Sequence, residues 1–99
     1  PQLLELRHPL VRHHLTRLRD KETPPWEFRI LLQRLASLLA YEATGDLALA
    51  EGTVVTPMGP APAGRLSQRI AIVPILRAGL GMIDPILQLI PTAEVWHLG

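Results

Sequence analysis

The residues whose types and spacing could bind a ligand lie in one segment, residues 69–84, which read RIAIVPILRAGLGMID. An apolar, β-branched run ends at a single arginine, Arg77, and Gly79 and Gly81 come after it before a second apolar segment begins. Backbone N–H groups without Cβ bulk, next to a helix N-terminus, favour an anion, and a guanidinium adds paired hydrogen bonds to phosphate or carboxylate. The pattern therefore predicts an anionic ligand, in particular a phosphate, at residues 77–81. A structural or surface role for Arg77 is the alternative.

A strand, a tight loop and a helix are needed to position this segment. The near-continuous apolarity of residues 70–76 predicts a central strand covered on both faces. Apolar residues then recur at helical spacing until Pro91, and residues 93–98 have the composition of a second strand. We therefore predict a parallel, right-handed strand–helix–strand unit. In an open α/β sheet, ligands bind at the carboxyl ends of the strands, which is where the predicted loop lies.

Two helices are predicted in the first half of the chain. Pro9 suits the first turn of one helix, whose apolar spacing ends near Asp20. Thr23 is the predicted N-cap of a longer helix, with Pro24 at its first helical position. A wide apolar stripe continues along this second helix, which we expect to end at about residues 45–49.

The stretch between the helices and the sheet differs in composition. Residues 53–56 are a short strand candidate, and the prolines and glycines of residues 57–64 favour an edge strand and a loop over a central strand. The predicted organisation is a helical segment at 1–50, a β-arm or flap with its loop at 51–69, and the first strand–helix–strand unit of a core at 70–99. The predicted fold class is thus α/β, with helices followed by a β-arm and the start of a parallel sheet.

Composition limits the classes of function. A chain of 99 residues that is 47% hydrophobic and 19% charged is typical of one small globular domain. The absence of cysteine excludes disulfides and thiolate–metal sites. A net charge of +1 and few aromatic residues disfavour a nucleic-acid-binding surface. No apolar run is long enough to cross a membrane and no signal-peptide layout is visible, so we expect a soluble, cytoplasmic protein.

Other candidate sites are weaker. A dinucleotide fingerprint would need a third glycine where this chain has Asp84. His13 and His14 are adjacent, so on a helix they diverge by about 100° and cannot chelate one metal ion together. We therefore interpret the histidines as surface residues, and Trp26 and Phe28 as packing residues near a helix start. Two carboxylates one helical turn apart are interpreted as a solvated face: Glu42 and Asp46.

Three motifs resemble one known family. Residues 73–82, VPILRAGLGM, resemble the V-P-I-L-R-A-G-L-G-M signature of the uracil phosphoribosyltransferases. Residues 8–13, HPLVRH, are similar to that family's H-P-L-V-x-H opening, and residues 38–44, LLAYEAT, to its L-L-x-Y-E-A helix end. The three motifs occur in the family's order along nearly the whole chain, which makes the resemblance specific. It covers about the first half of a typical family member.

The resemblance implies a type I phosphoribosyltransferase fold and a role in pyrimidine salvage. Uracil and 5-phosphoribosyl-1-pyrophosphate (PRPP) would give uridine monophosphate (UMP) and pyrophosphate, with Mg²⁺ bound through the pyrophosphate. The family's L-R-A-G arginine contacts that pyrophosphate, which assigns this role to Arg77, with Ala78 and Gly79 contributing small size and backbone donors. The resemblance is also compatible with GTP as an effector. The apolar surface that the long helix and the incomplete sheet leave predicts a homo-oligomer, dimer or tetramer, and the composition predicts no nucleic-acid or membrane partner.

Several segments of the family pattern are missing from these 99 residues. The family's second pyrophosphate arginine, its D-x-x-x-A-T-G-G-S phosphate loop and its uracil-reading G-L-G-D-A-G segment are absent from these 99 residues. We therefore expect part of a pyrophosphate site, no catalytic residue that can be assigned, and no activity from this chain alone. Two alternatives are a non-catalytic anion-binding or regulatory module of the same fold, and a small α/β domain whose partner chain supplies the missing strands.

Overall fold

A computed structural model describes residues 7–74 and 80–96 of the chain. The first helix, α1, spans Pro9–Arg19, as its apolar spacing predicts. His8 caps it in an extended conformation, and its Nδ1 accepts a hydrogen bond of 3.1 Å from the backbone N–H of Leu10. Pro9 occupies the first turn of α1, where backbone N–H groups have no partner within the helix, so its lack of an N–H costs no hydrogen bond. None of the described helices combines the length and the apolarity that crossing a membrane requires.

The second helix, α2, spans Pro25–Ala43 and differs from the prediction at both ends. Its N-cap is Pro24, and Thr23 does not cap it. The Thr23 hydroxyl instead donates a 2.5 Å hydrogen bond to the carbonyl of Arg17, which closes the connection to α1. At the other end, the Thr44 hydroxyl bonds back to a carbonyl one turn earlier, and α2 ends before the predicted range of 45–49.

The apolar core is small and centred on α2. Ala36 is 0% exposed, and because it has no side chain beyond Cβ, neighbouring elements can approach the helix closely at this point. Trp26 and Phe28 are 59% and 41% exposed, so their interpretation as packing residues is wrong. The first turn of α2 extends past the buried region, which explains their exposure. The buried apolar residues of the described chain are Val11, Leu31, Leu35, Ala36 and Ile90.

A bidentate ion pair joins α1 to the first turn of α2. The Arg17 guanidinium donates from Nε and Nη2 to the Glu27 carboxylate, with N···O distances of 2.7 to 3.0 Å. Hydrogen bonding to Glu27, and then its negative charge, raise the pKa of Arg17. Because the pKa of Arg17 is higher in the folded state, this contribution to stability is present at neutral pH and is lost as the pH rises through the pKa of Arg17 in the folded state.

Two eight-residue strands form an antiparallel hairpin, where the sequence predicted one short strand and a loop. Strand β1 spans Leu49–Thr56 and β2 spans Gly59–Leu66, paired from Leu49↔Leu66 to Thr56↔Gly59. In a two-stranded hairpin each strand has an outer edge, so the prolines at positions 60 and 62 can lie where no N–H is needed. This is why the proline-rich stretch pairs along its whole length.

The hairpin turn is followed directly by a glycine. Pro57 and Met58 are its central residues, and no described non-glycine residue has positive φ, which excludes turn types II, I′ and II′. Gly59 has φ +112°, a conformation that residues with a side chain rarely adopt. The Thr56 hydroxyl tightens the turn by donating to the Gly59 carbonyl at 2.7 Å. Met58, at the tip, is 96% exposed.

The hairpin projects from the rest of the molecule. The radius of gyration is 16.8 Å and the molecule measures 54 × 33 × 27 Å. A compact domain of this length would have a radius of gyration of about 13 Å. Along both strands most residues are exposed, which is the behaviour expected of an arm.

The predicted parallel strand–helix–strand unit is present, with shorter strands than predicted. Strand β3 spans Ala71–Ile72 and pairs in parallel with β4, Glu94–Val95. Between them in sequence lie a 3₁₀ helix, Leu80–Met82, and α3, Ile83–Leu89. Pro85 is buried at the third position of α3, where its missing N–H lies within the unpaired first turn and costs no helix bond.

The first prediction concerns the core on α2. Leu35→Ala should lower the free energy of unfolding by about 2–5 kcal/mol, because it removes buried methyl groups and leaves a cavity. Urea unfolding followed by circular dichroism measures this as a lower midpoint at an unchanged slope. Gln33→Ala, at an exposed position of the same helix, is the control. Equal midpoints for the two variants would contradict the location of the core.

The second prediction concerns the hairpin turn. Gly59→Ala should destabilise the hairpin by about 1–2 kcal/mol, because alanine is strained at φ +112° although no atom lies near the added Cβ. Gly52→Ala is a matched control in β1, since its added Cβ would meet an ordinary 3.8 Å contact with the Arg65 side chain. Amide hydrogen exchange of the two strands compares the variants. Equal loss of protection in both would refute a turn-specific effect.

Candidate functional site

The three residues predicted to bind pyrophosphate, Arg77, Ala78 and Gly79, lie outside the described residues. The structure describes the preceding part of the chain up to Pro74 and the succeeding part from Leu80. The described surroundings of the candidate site are therefore these two flanks and the elements that hold them.

The preceding flank is strand β3, which β4 holds through backbone hydrogen bonds. The N–H of Glu94 donates to the carbonyl of Ile70 at 2.8 Å, and the N–H of Trp96 donates to that of Ile72 at 2.9 Å. Pro74, which comes after β3, is buried. The position from which the chain enters residues 75–79 therefore depends on how β3 is paired with β4.

A side-chain cluster spans the same strand pair. The Glu94 carboxylate accepts from Arg69 Nη2 at 2.6 Å through Oε1, and from Trp96 Nε1 at 3.1 Å through Oε2. Arg69 precedes β3 and Trp96 succeeds β4, so the two donors lie toward opposite ends of the pair. The Arg69 side chain is 80% exposed and that of Glu94 40%, so we expect the ion pair itself to contribute little to stability.

The succeeding flank is held against α2. A Cβ placed on Gly81 would lie 3.1 Å from Leu32 Cδ2, which is closer than ordinary contact. The absence of a side chain at Gly81 therefore lets the 3₁₀ helix approach α2 closely. Helix α3 begins two residues later and carries Asp84, exposed, in its first turn. This acidic residue already provides the negative charge that a helix N-terminus favours.

Two of the described histidines bond to the backbone of α1. His8 is its N-cap, and the Nδ1–H of His14 donates to the carbonyl of Leu10 at 2.7 Å. The rings of His13 and His14 meet edge to face, with centroids 5.7 Å apart. Within residues 7–74 and 80–96, no three His, Asp or Glu side chains are grouped so that they could hold a metal ion. His97 lies outside these ranges.

Of the grooves on the described residues, one lies away from the two flanks and another borders the succeeding flank. One of about 610 Å³ lies on the hairpin and is lined by hairpin residues alone, among them Glu51 and Pro62. Another, of about 300 Å³, lies between α2 and α3 and is lined by Pro85 and by polar side chains that include Arg34 and Asp84. Glu42 and Asp46 are exposed, but Asp46 lies beyond the end of α2, so they do not share a helical face.

Sequence reasoning did not identify the cluster around Glu94. The prediction of a parallel pair brings the beginnings of the two strands to the same edge, which was the available signal. The register, and with it the meeting of Arg69 and Glu94, could not be read from two short apolar runs.

Comparison with known proteins agrees with the resemblance found in the motifs. The family model described as uracil phosphoribosyltransferase matches residues 5–99. The uracil phosphoribosyltransferase of Roseiflexus sp. strain RS-1 is 56% identical over 98 residues, which are 99% of this chain and 47% of that protein. The Thermus thermophilus uracil phosphoribosyltransferase is 54% identical over 93 residues, which are 93% of this chain and 45% of that protein.

A solved structure shares the fold. The AQ2163 protein from Aquifex aeolicus is similar with a TM-score of 0.90 and 38% sequence identity, over 99% of this chain and 48% of that one. The predicted α/β fold class is confirmed by this similarity. The chain spans about half the length of the curated relatives it matches. The match along almost its whole length shows that the chain belongs to the uracil phosphoribosyltransferase family.

Proposed function

We propose that the chain carries part of the active site of a uracil phosphoribosyltransferase, which converts uracil and PRPP to UMP and pyrophosphate in pyrimidine salvage. Family membership along almost the whole chain, including the V-P-I-L-R-A-G-L-G-M motif at residues 73–82, is the observation that supports this proposal. The relatives it matches are named for the same activity.

In this proposal Arg77 binds the pyrophosphate of PRPP. Negative charge builds on the leaving pyrophosphate as its bond to C1 of the ribose breaks. A fixed guanidinium and aligned backbone N–H groups lower the barrier most where that charge develops. Ala78 and Gly79 would contribute backbone donors and small size, so that the oxygens can approach the main chain. The residue types support these roles, since arginine binds phosphate oxygens in pairs.

We also propose that Mg²⁺ takes part, bound through the pyrophosphate of the donor. The ion would neutralise charge on the pyrophosphate oxygens. The described residues bring no three carboxylates or imidazoles together, so the proposal assigns the ligands of the ion to phosphate oxygens and water. Arg77 and the backbone donors would then act on the same group from the protein side.

We also propose how the protein assembles, how it is regulated and where it is located. Large apolar side chains exposed on α2 and on the hairpin, such as Trp26, Tyr41 and Val55, support a homo-oligomer, as a dimer or tetramer. GTP as an effector and a cytoplasmic location are proposed from the family resemblance alone.

The third prediction tests the role of Arg77. Arg77→Ala should weaken binding of pyrophosphate in the presence of Mg²⁺ by about tenfold or more, because it removes charge-assisted hydrogen bonds. Arg77→Lys should give an intermediate loss, since lysine keeps the charge without the paired geometry. Isothermal titration calorimetry measures both. Arg65→Ala, at an exposed arginine of the hairpin, is the control and should bind like the wild type. Equal affinity of the wild type and Arg77→Ala would refute the assignment.

The fourth prediction concerns turnover. The 99-residue chain, incubated with uracil, PRPP and Mg²⁺, should form no UMP, because it contains neither the phosphate loop nor the uracil-reading segment of the family. Chromatographic measurement of UMP tests this, with the Roseiflexus uracil phosphoribosyltransferase as the positive control. UMP formation above the enzyme-free blank would show that the residues present suffice.

A further inference from the structure

We propose that Glu94 is a positioning residue that holds β3 and β4 in one register. Trp96 orients its carboxylate, Arg69 bonds it across the strand pair, and together they fix where the chain leaves β3. The consequence for pyrophosphate binding rests on the proposed function. The consequence for strand register does not.

The two oxygens of Glu94 have separate partners. Oε1 accepts from Arg69 Nη2 at 2.6 Å, and Oε2 accepts from Trp96 Nε1 at 3.1 Å. Trp96 lies two residues further along the chain from Glu94, so its indole fixes the direction of the carboxylate without bridging the strands. Arg69 is the partner that bridges them. With one oxygen held by the indole, Glu94 has little freedom to follow Arg69 if the strands shift.

The backbone and the apolar pattern do not specify this register by themselves. Each strand has two residues, paired Ala71↔Glu94 and Ile72↔Val95. A shift of one residue would turn the half-buried Val95 to the opposite face, but a shift of two keeps every side chain on its own face. The alternation of side chains therefore does not exclude a shift of two residues.

The Arg69–Glu94 bond opposes one such shift. In the observed register Arg69 lies two residues before Ala71, the residue opposite Glu94. The two Cα atoms are thus offset by about 6.6 Å along the strands. Moving β4 two residues toward the carboxyl end of β3 doubles this offset to about 13 Å. The short bond to Arg69 would then break, because the indole holds the carboxylate of Glu94.

This direction of shift is the one that matters for the candidate site. The carboxyl end of β3 leads in sequence, through Pro74, to residues 77–79, the proposed pyrophosphate ligands. A change of register would displace the starting point of that segment relative to β4. Such displacements of about 1 Å or more at a binding site are enough to weaken it substantially.

Disulfide trapping tests the register directly, because the chain has no cysteine of its own. Ile72→Cys with Val95→Cys joins opposed positions, whose Cα atoms should be about 4.8 Å apart, within the range of a disulfide. Ile72→Cys with Ala93→Cys joins positions about 8 Å apart in the observed register, which is too far, and opposed after the two-residue shift. The ratio of the two yields after mild oxidation reports the register.

With Glu94 present, we expect the first pair to form and the second to remain reduced. Glu94→Gln replaces one of the two acceptor oxygens with an NH₂ donor, which would face the N–H of Arg69 or of Trp96, so one of the two bonds is lost in the observed geometry and the second pair should gain yield severalfold at the expense of the first. Trp96→Phe, which keeps the ion pair, should shift the ratio less. Glu51→Gln, at an exposed position of the hairpin, is the control and should leave the ratio unchanged.

A charge-swapped variant separates register from general loss of structure. Arg69→Glu combined with Glu94→Arg restores an ion pair between the same positions and should recover part of the yield of the first pair. An unchanged ratio in Glu94→Gln would overturn the role of Glu94 in register.

Pyrophosphate titration in the presence of Mg²⁺ tests the functional consequence. Glu94→Gln should bind pyrophosphate severalfold more weakly than the wild type, in line with the lost yield of the first pair, whereas Glu51→Gln should bind equally. If the trapping ratio shifts but the wild type does not bind pyrophosphate, the proposed function fails and the register role stands. If the ratio shifts and the wild type and Glu94→Gln bind equally, the positioning of the site by Glu94 is overturned.

Discussion

Apolar packing against α2 is the interaction that holds the helical part of the described chain together. This helix contributes Leu31, Leu35 and Ala36, which are three of the five buried apolar residues, prolines not counted, in the described chain. Helix α1 packs on it from the preceding part of the sequence, and the 3₁₀ helix and α3 from the later part. Burial of apolar surface is not directional, so the orientation of α1 needs specific bonds as well. The paired hydrogen bonds between Arg17 and Glu27 and the Thr23 hydroxyl provide them.

The same core holds one flank of the candidate site. Gly81 lets the chain pass close to Leu32, so the segment that comes after residues 77–79 is fixed to α2 by packing. The other flank is fixed by backbone and side-chain bonds in the β3–β4 pair, with Glu94 at their centre. One flank is therefore held by apolar packing and the other by hydrogen bonds. A site that binds a highly charged ligand benefits from rigid flanks, because the donors need not reorganise when charge develops.

The hairpin is stabilised differently from the rest of the described chain. Its strands bond to each other, its faces are largely exposed, and its turn depends on a single glycine with positive φ. Its stability is therefore largely local, and the small core gains little from it. The similarity to the Aquifex structure extends over 99% of this chain, so the arm is part of the shared fold and not a peculiarity of this sequence.

The amino-acid sequence alone was enough to predict the family, the α/β class, the start of α1 and the parallel strand–helix–strand order. These features depend on neighbours within a few positions: a proline in a first turn, apolar spacing, and a run of motif residues. Tertiary contacts were needed to show that Thr23 bonds to Arg17 and does not cap α2, that Trp26 is exposed, and that the proline-rich stretch is a full strand. They were also needed to show that Glu94 meets Arg69. Each of these depends on which distant segments lie side by side and in what register, and two-residue strands carry too few side chains for a sequence pattern to specify that.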